Sequence, residues 1–532
     1  MYRNKGTITV FLSLISMLFL SLFCTMAESV RVQAARFQAA AAFDMGLFSI
    51  FGEYDRVLLE EYDLWFLDGS SEEQKIREVL ETKMEKYIQP NINPRYNLAA
   101  GRSWDVFPTE LDRCTVDKYA LATDHGGQVF YSQAVENQKE LFVGEAASAL
   151  KKNIKQMEEG HQKGEEYQNE EQKADEEYQR AQAAQMEEKK RQESEKENAE
   201  KQEESDTDIK ETEAVQAKVE NPLDQIKKIK SMGILGLVLK DGTVVSDKTI
   251  ERKDLPSERN LQKGSLLVDE ISADPVSEAI FLNYLQKHFQ CAVDEGGKHQ
   301  KGSKEHSLSY ELEYIIGGQK SDRENLKKTV NRILLIREGM NYATLAKSAK
   351  MRGEAMALAA AITGAAALPE FAGALQKLLM LAWAYGESLL DVRTLLAKGK
   401  VPMLKAETEW KLPLEKLGML AEVLKECDAG GGNGQSYEDY LSGLLILGKK
   451  QQRNLRVLDL IECNRRMEKG GETFRVDALV AQAEASADFE LAPVFLRVPA
   501  VWMHVRNQGT AYTIKGTITS KNISINSNTK IV

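Results

Sequence analysis

Residues Thr7 to Ala27, TITVFLSLISMLFLSLFCTMA, form 21 consecutive positions without a charged side chain, preceded by Arg3 and Lys5. A helix of that length rises roughly 31 Å, the thickness of a bilayer core. The run predicts a membrane-spanning helix with Thr7, Phe11, Leu14, Leu18, Leu22 and Ala27 along it. A cleaved secretory signal is the competing reading, with Thr25-Met26-Ala27 as its small-x-small site. The apolar part of such signals usually covers only about 7 to 15 residues, which favours a retained anchor. A lipoprotein reading through Cys24 is weaker, because bulky Phe23 precedes it. Arg3 and Lys5 lie before the run and mixed Glu28, Arg31 and Arg36 after it, so the N-terminus is expected to stay cytoplasmic and the remainder to be exported. The expected location is the cell membrane, single-pass, with membrane lipid as the first partner.

The helix is expected to continue past the membrane. No proline precedes Pro90, and Leu47, Phe51, Tyr54, Leu58, Tyr62 and Trp65 step by three and four to make one stripe. Asp68-Gly69-Ser70 would end it, and Ser71 with Gln74 would cap a second helix with Ile76, Leu80, Met84 and Tyr87 on its apolar face. The two helices then form a hairpin.

Charge is unevenly placed. The formal net charge is -11, and residues 151–220 hold 22 acidic against 13 basic side chains. The rest is near neutral, without the concentrated positive field of a dedicated nucleic-acid binder. Half of 151–220 is charged, with Tyr167 and Tyr178 the only aromatics and no proline. Such a stretch predicts a solvated spacer from about Ala149 to Val219, a frayed single helix or disorder, with no stripe to fold against a partner. Apolar a and d positions of a coiled coil are not found.

After Pro222 the chain reads as globular. Ile234 to Leu239, Lys240-Asp241-Gly242 and Thr243 to Val245 predict strand, turn and strand. Helices are expected over Ser277 to Phe289 and Leu326 to Ser348, with a half-buried strand over Leu308 to Ile316 between them. Ala355 to Leu368 and the helix running to Leu396 resemble a second span. The first is short, and Lys377, Glu387, Asp391 and Arg393 are costly in lipid, so a soluble helical hairpin is expected. Helices follow around Tyr437 to Leu447 and Gln452 to Met467, then strands at Val494 to Val498, Val501 to Val505 and Tyr512 to Thr519.

The main enzyme motifs are missing: there is no Walker A sequence, no GxGxxG after a strand and no HExxH. No catalytic, cofactor-binding or metal-ligating residue is assigned, and no cofactor is expected. His299 and His306, seven apart in a Gly/Lys-rich loop, read as solvated. Glu387 and Asp391, one helical turn apart beside Arg393, read as a partly buried ion pair with Arg393 or Arg337 rather than as an acid/base pair. Outside the membrane run, Cys114, Cys291, Cys427 and Cys463 allow two disulfides in three connectivities, among which spacing does not choose.

The stretch Lys5 to Leu14, then Glu28-Ser29 with Arg31, Glu53-Tyr54 and Leu58 to Leu64, resembles an uncharacterised bacterial family. Its members are similar at the N-terminus to TadE/TadG-type pseudopilins and are encoded with tight-adherence (Tad) pilus genes. Tyr310 to Ile315 with Glu324 to Leu326, Trp383 to Arg393 with Lys405 and Trp410, and Tyr437 to Leu441 with Arg456 and Asp459 to Ile461 fit the same family. The resemblance implies cleavage by a prepilin peptidase after Gly6, leaving Thr7 first, but the fifth position beyond Gly6 is Phe11, where many pilin-like helices carry a docking Glu. Ala27 is the processing position if a signal peptidase acts instead.

The expected fold is α+β: a transmembrane helix continuing into an amphipathic one, a mostly helical ectodomain with small β elements, and a long charged insertion. The expected segments are an anchor over 1–27, ectodomain over 28–148, acidic spacer over 149–221, α+β ectodomain over 222–525 and a frayed tail over 526–532. The leading functional expectation is a non-enzymatic, single-pass extracytoplasmic protein, an accessory or pseudopilin-like component of a Tad-type pilus, with other pilus or secretion components as partners. The alternatives are a surface-anchored enzyme or receptor with a site in residues 310–410, and a purely structural spacer.

Overall fold

The computed structural model describes residues 5–71, 75–92, 107, 109–139, 144–200, 222–240, 242–267, 274–293, 305–365, 371–426, 431–495, 510–519, 523–524 and 530–531. The fold is α+β, mostly helical, with one antiparallel sheet and a long apolar N-terminal helix. Two compact units divide the chain. One takes Met1–Glu140, Lys253–Ser272 and Val457–Val532, and the other takes Leu141–Arg252 and Ala273–Arg456.

The first unit is built on α1 (Lys5–Phe51), α3 (Ile76–Ile92) and the sheet. Strand β3 (Leu479–Leu491) is central, pairing with β1 (Leu67–Asp68) and β2 (Thr109–Leu121), and with β4 (Thr510–Thr519), which carries β5 (Ile523–Ser524) and β6 (Lys530–Ile531). Ala485 lies opposite Gly516, and Phe489 opposite Tyr512. Small residues hollow the sheet at this point: a Cβ on Gly516 would meet Phe43 Cε1 at 2.8 Å and Leu47 Cδ1 at 2.9 Å, so α1 seats where β4 has no side chain. Ala35, Ala39, Phe43, Leu47 and Ile50 of α1 are buried with Ile76, Leu80, Met84, Ile88 and Ile92 of α3. Gly46 faces Ile88, while the Gln38 amide donates to the Ile92 carbonyl, so α1 and α3 run antiparallel as the expected hairpin.

The sequence expectation of one unbroken helix from the membrane to Asp68 is corrected. Helix α1 ends at Phe51, Gly52 turns the chain, and Asp55 caps a separate α2 (Arg56–Tyr62) by accepting from Val57 N at 2.9 Å and Leu58 N at 3.1 Å. The three-and-four stepping across Gly52 misled because Leu58 and Tyr62 continue it on a second, short helix.

The second unit packs α5 (Gly144–Glu200), α10 (Asp322–Lys347) and α12 (Ala372–Leu396), joined by α6 (Pro222–Ser231), α8 (Pro275–His288), α11 (Ala349–Ala365) and α14 (Tyr437–Leu447). Here the solvated-spacer expectation is corrected for the part up to Tyr178, while the described side chains from 179 to 200 are exposed on a helix as expected. The charged segment is helical over its described part, but Met157, Tyr167 and Ala174 are buried. Gly160 lies on Ile336, and Gly164 would set a Cβ 2.8 Å from the Leu335 carbonyl oxygen. Met157, Gly160, Gly164, Tyr167, Glu171, Ala174 and Tyr178 step by three and four, a stripe made of small and aromatic residues instead of aliphatic ones.

Three strand assignments are also corrected, among them Thr243 to Val245, which is irregular, while Asp241 of the expected turn lies outside the described residues. Ile234–Val238 is a short helix, α7, and Leu308 to Ile316 is mostly helix, α9 (Glu311–Gly317). A short apolar run does not separate buried helix from strand, and the apparent polar alternation at Glu311 and Glu313 comes from carboxylates that are fully buried. Val494 and Phe495 form a bend and turn, and the rest of the two strands expected between Val494 and Val505 lies outside the described residues. The helices expected from Ser277, Leu326, Tyr437 and Gln452 are present as α8, α10, α14 and α15 (Lys450–Met467).

Candidate functional site

Among the described residues, α1 alone is long and apolar enough to cross a membrane. Phe11, Leu14, Leu18 and Leu22 on one face are each at least half exposed, and so are Val10, Leu12, Phe19 and Leu20 on the others. Its hydroxyls are turned inward: Thr9 donates to the Gly6 carbonyl at 2.9 Å, Ser13 to Val10 at 2.8 Å, Ser21 to Leu18 at 3.0 Å and Thr25 to Ser21 at 2.7 Å. Such bonds let a hydroxyl sit in hydrocarbon without losing its partner. Gly6 and Thr7 lie in the exposed first turns and Ala27 is half-buried at the other end, so the three processing candidates bracket the apolar run.

The surroundings change within one residue. Glu28 and Arg31 are buried and paired with each other. Arg31 also donates to the Ala492 carbonyl at 2.6 Å, and Glu28 accepts Val494 N at 3.3 Å and Phe495 N at 2.8 Å. Burial alone would raise the Glu28 pKa, but Arg31 and these two backbone amides outweigh it and hold the carboxyl below its usual range. Beside the pair, Phe23, Met26, Ala27, Val30, Ala34, Phe107 and Phe495 line an open apolar groove of about 500 Å³.

A second concentration of polar groups lies in the helical unit, inside the 310–410 region. Arg337 is fully buried and donates to Asp391 Oδ2 through Nε at 3.0 Å and Nη2 at 2.8 Å, to the Pro402 and Met403 carbonyls at 3.0 and 2.8 Å, and to Asn341 Oδ1 at 3.1 Å. Asn341 donates in turn to Asp391 Oδ2 at 3.0 Å and Ser388 Oγ at 2.9 Å. The Lys405 ammonium pairs with both Glu387 and Asp391, and Glu387 also accepts Lys411 N at 3.1 Å and Leu412 N at 2.9 Å. Two cations meet two anions in a site where none is more than 6 % exposed. Burial pushes Glu387 up, whereas for Asp391 the burial effect is outweighed by Arg337 and Lys405, which hold it down. Arg337, and not Arg393, is therefore the ion-pair partner: Arg393 donates to the Leu237 and Leu239 carbonyls at 3.2 and 3.0 Å. Lys405 escaped the sequence reading of this pair, its one signal being a lysine within the apolar stretch Val401 to Ala406.

A third set staples loops. Glu311 takes His306 Nδ1 at 2.8 Å and Gln290 N at 2.9 Å, and Glu313 takes Ala292 N at 2.8 Å and the Tyr437 hydroxyl at 2.9 Å. Burial pushes Glu313 up to about 7. His306 is thus paired rather than solvated, and His299 lies outside the described residues. Among the described residues no group of three His, Cys, Asp or Glu is arranged to hold a metal. Cys24, Cys114, Cys291 and Cys463 are free thiols, and Cys427 lies outside the described residues. Burial pushes Cys114 and Cys463 up to about 12, which leaves them poor nucleophiles.

A family model, that of the family of unknown function DUF5702, matches residues 212–491. The chain belongs to the DUF5702 family. The matched stretch contains Arg337, Glu387, Asp391 and Lys405, with Tyr440, whose hydroxyl accepts from Arg337 Nη1 at 3.1 Å, together with the Glu311 and Glu313 staples and strand β3, and it leaves out α1 and β4. Nothing in this match links DUF5702 to Tad pili or to TadE-like pseudopilins. No curated protein and no solved structure matches the chain.

Proposed function

We propose that this DUF5702 protein is a single-pass, membrane-anchored extracytoplasmic protein that serves as an accessory, pseudopilin-like component of a Tad-type pilus or secretion system. The observation that carries the reading is the two-part character of α1. Its apolar turns up to Met26 are exposed, and from Glu28 onward the same helix is built into the core of a folded unit. That arrangement suits a protein held at a membrane by the element that also nucleates its folded body. The N-terminal resemblance to TadE/TadG-type pseudopilins supports the pilus assignment, and Phe11 at the fifth position after Gly6 calls for docking by apolar contact in place of a carboxylate. Glu28 is bound by Arg31 and two backbone amides, and Glu387 and Asp391 by Lys405, Arg337, Asn341 and the Lys411 and Leu412 amides, which supports a structural role over an enzymatic one for these carboxylates.

The topology is tested by protease shaving of intact cells carrying a C-terminal tag: loss of the tag is expected, and a protected tag overturns the reading. Mass spectrometry of the mature N-terminus separates the processing routes. Thr7 supports prepilin-type cleavage, Met1 an uncut anchor, and Glu28 overturns the anchor. For the pilus assignment, capture of the tagged protein from membranes should bring down Tad platform or secretion-ATPase subunits, and their absence from the captured material overturns it.

A further inference from the structure

The Lys405 amine is enclosed between Asp391 and Glu387 in the core of the helical unit, and the two oxygens of Asp391 are not equivalent. Oδ2 is held by three fixed donors, Arg337 Nε and Nη2 and Asn341 Nδ2, at 2.8 to 3.0 Å. Oδ1 faces the Lys405 nitrogen, on which Glu387 Oε1 also converges. Preorganised donors on one oxygen are what a tetrahedral acyl intermediate needs to carry negative charge in a dry site. An oxygen flanked by an amine and a second carboxylate is placed to leave as water.

We propose that Lys405 and Asp391 join in an intramolecular isopeptide bond, formed once after folding, with Glu387 carrying the protons. Glu387 first moves a proton from the Lys405 ammonium to Asp391 Oδ1, leaving a neutral amine and a neutral carboxylic acid. The nitrogen lone pair attacks Asp391 Cγ, a C–N bond forms, and the charge on Oδ2 is stabilised by Arg337 and Asn341. Glu387 then moves a second proton from the nitrogen to Oδ1, and the C–Oδ1 bond breaks with its electron pair leaving on water. The product is an amide and one water, Glu387 is again a carboxylate, and the remaining charges of Glu387 and Arg337 still balance. No oxidant, metal or activated donor is required. Burial raises the Glu387 pKa, which suits a group that takes up and returns protons. The two carboxylates favour the ammonium form of Lys405 at equilibrium, a barrier that slows the step without preventing a reaction that needs to occur only once. Enclosure of the site opposes the reverse hydrolysis by keeping water out. The inference does not depend on the membrane reading.

Tryptic peptide mapping of the full-length protein tests it. Cleavage falls after Lys377, Arg393, Lys400 and Lys411, so the expected species is peptide 378–393 joined to 401–411, lighter than their sum by one water. Fragment ions should place the link between Asp391 and Lys405. Lys405→Arg should lose the joined species, and so should Glu387→Gln, checked by circular dichroism to be folded. Cleavage after Lys405 in the wild-type protein, with 378–393 at its plain mass, overturns the proposal and leaves a charge-balanced ion-pair network. A link on Glu387 instead of Asp391 overturns the assignment of roles.

Discussion

Gly339 on α10 lies so close to the backbone of Gly164 on α5 that a methyl group on Gly339 would overlap the peptide joining Lys163 to Gly164. The charged helix is thereby docked backbone to backbone. Gly339→Ala should destabilise the helical unit by about 1 to 3 kcal/mol through overpacking. Gly353 on α11 has nothing within 4 Å of its Cβ position, and Gly353→Ala should stabilise by up to about 1 kcal/mol through helix propensity alone. Urea unfolding followed by circular dichroism checks both, and equal effects at the two sites would contradict the close approach.

Glu338 neighbours Gly339 and is buried, facing Lys230 and Glu171. Burial pushes it up to about 8, the Lys230 charge opposing the rise and the Glu171 charge adding to it. A carboxyl whose folded pKa exceeds its unfolded value of 4.5 binds its proton more tightly when folded, so its contribution to stability is present at low pH and is lost between roughly pH 4.5 and 8. Glu338→Gln should therefore raise the melting temperature at pH 8 and give little advantage at pH 5. A constant difference across that range would refute the assignment.

Arg259 grips Glu462 through both nitrogens, at 2.6 and 2.8 Å, and also reaches Asp477 at 2.5 Å, with all three side chains buried. Arg259→Ala should cost about 1 to 3 kcal/mol, because Glu462 and Asp477 lose their bridging cation while Glu462 keeps Arg466 at 2.7 Å and Asp477 keeps Arg475 at 3.3 Å. Arg259→Lys should recover less than half of that, since a lysine does not reproduce the fork. Thermal melts of the purified protein in detergent give both numbers.

Leu18 lies near the middle of the apolar run and is 65 % exposed. Leu18→Arg should cost about 2.5 to 3.5 kcal/mol of insertion free energy and shift protein from the membrane fraction to the soluble one after alkaline extraction. Unchanged fractionation would argue against a lipid-facing Leu18.

Much of the architecture was legible because its signals are local. The apolar run and the stripe of α3 depend on neighbours in sequence, and so do α8, α10, α14 and α15, whereas the expected Ser71–Gln74 cap lies partly outside the described residues. Strand β3 was missed, although Ala481, Ala483, Ala485, Ala487, Phe489 and Leu491 alternate with polar residues. Alanine is a poor strand former, and here it is chosen for its small size beneath α1, a tertiary reason that overrides propensity. The docking face of α5 was hidden in the same way, since glycines at Gly160 and Gly164 register as gaps in an apolar stripe until a second helix fills them. Within the buried polar network, Asp391 with Arg337 was readable from helical spacing and charge. Lys405 was not, because its pairing depends on a loop folding back over α12.

Helix α1 crosses from exposed apolar surface into the core of the first unit without a break, over 47 residues or about 70 Å. A span adjusts to bilayer thickness by tilting. With no hinge between its exposed apolar turns and the turns seated on β4, a change in tilt swings the whole sheet through the same angle. Under the proposed topology, thickness and curvature of the surrounding membrane become an orientation signal for the folded unit.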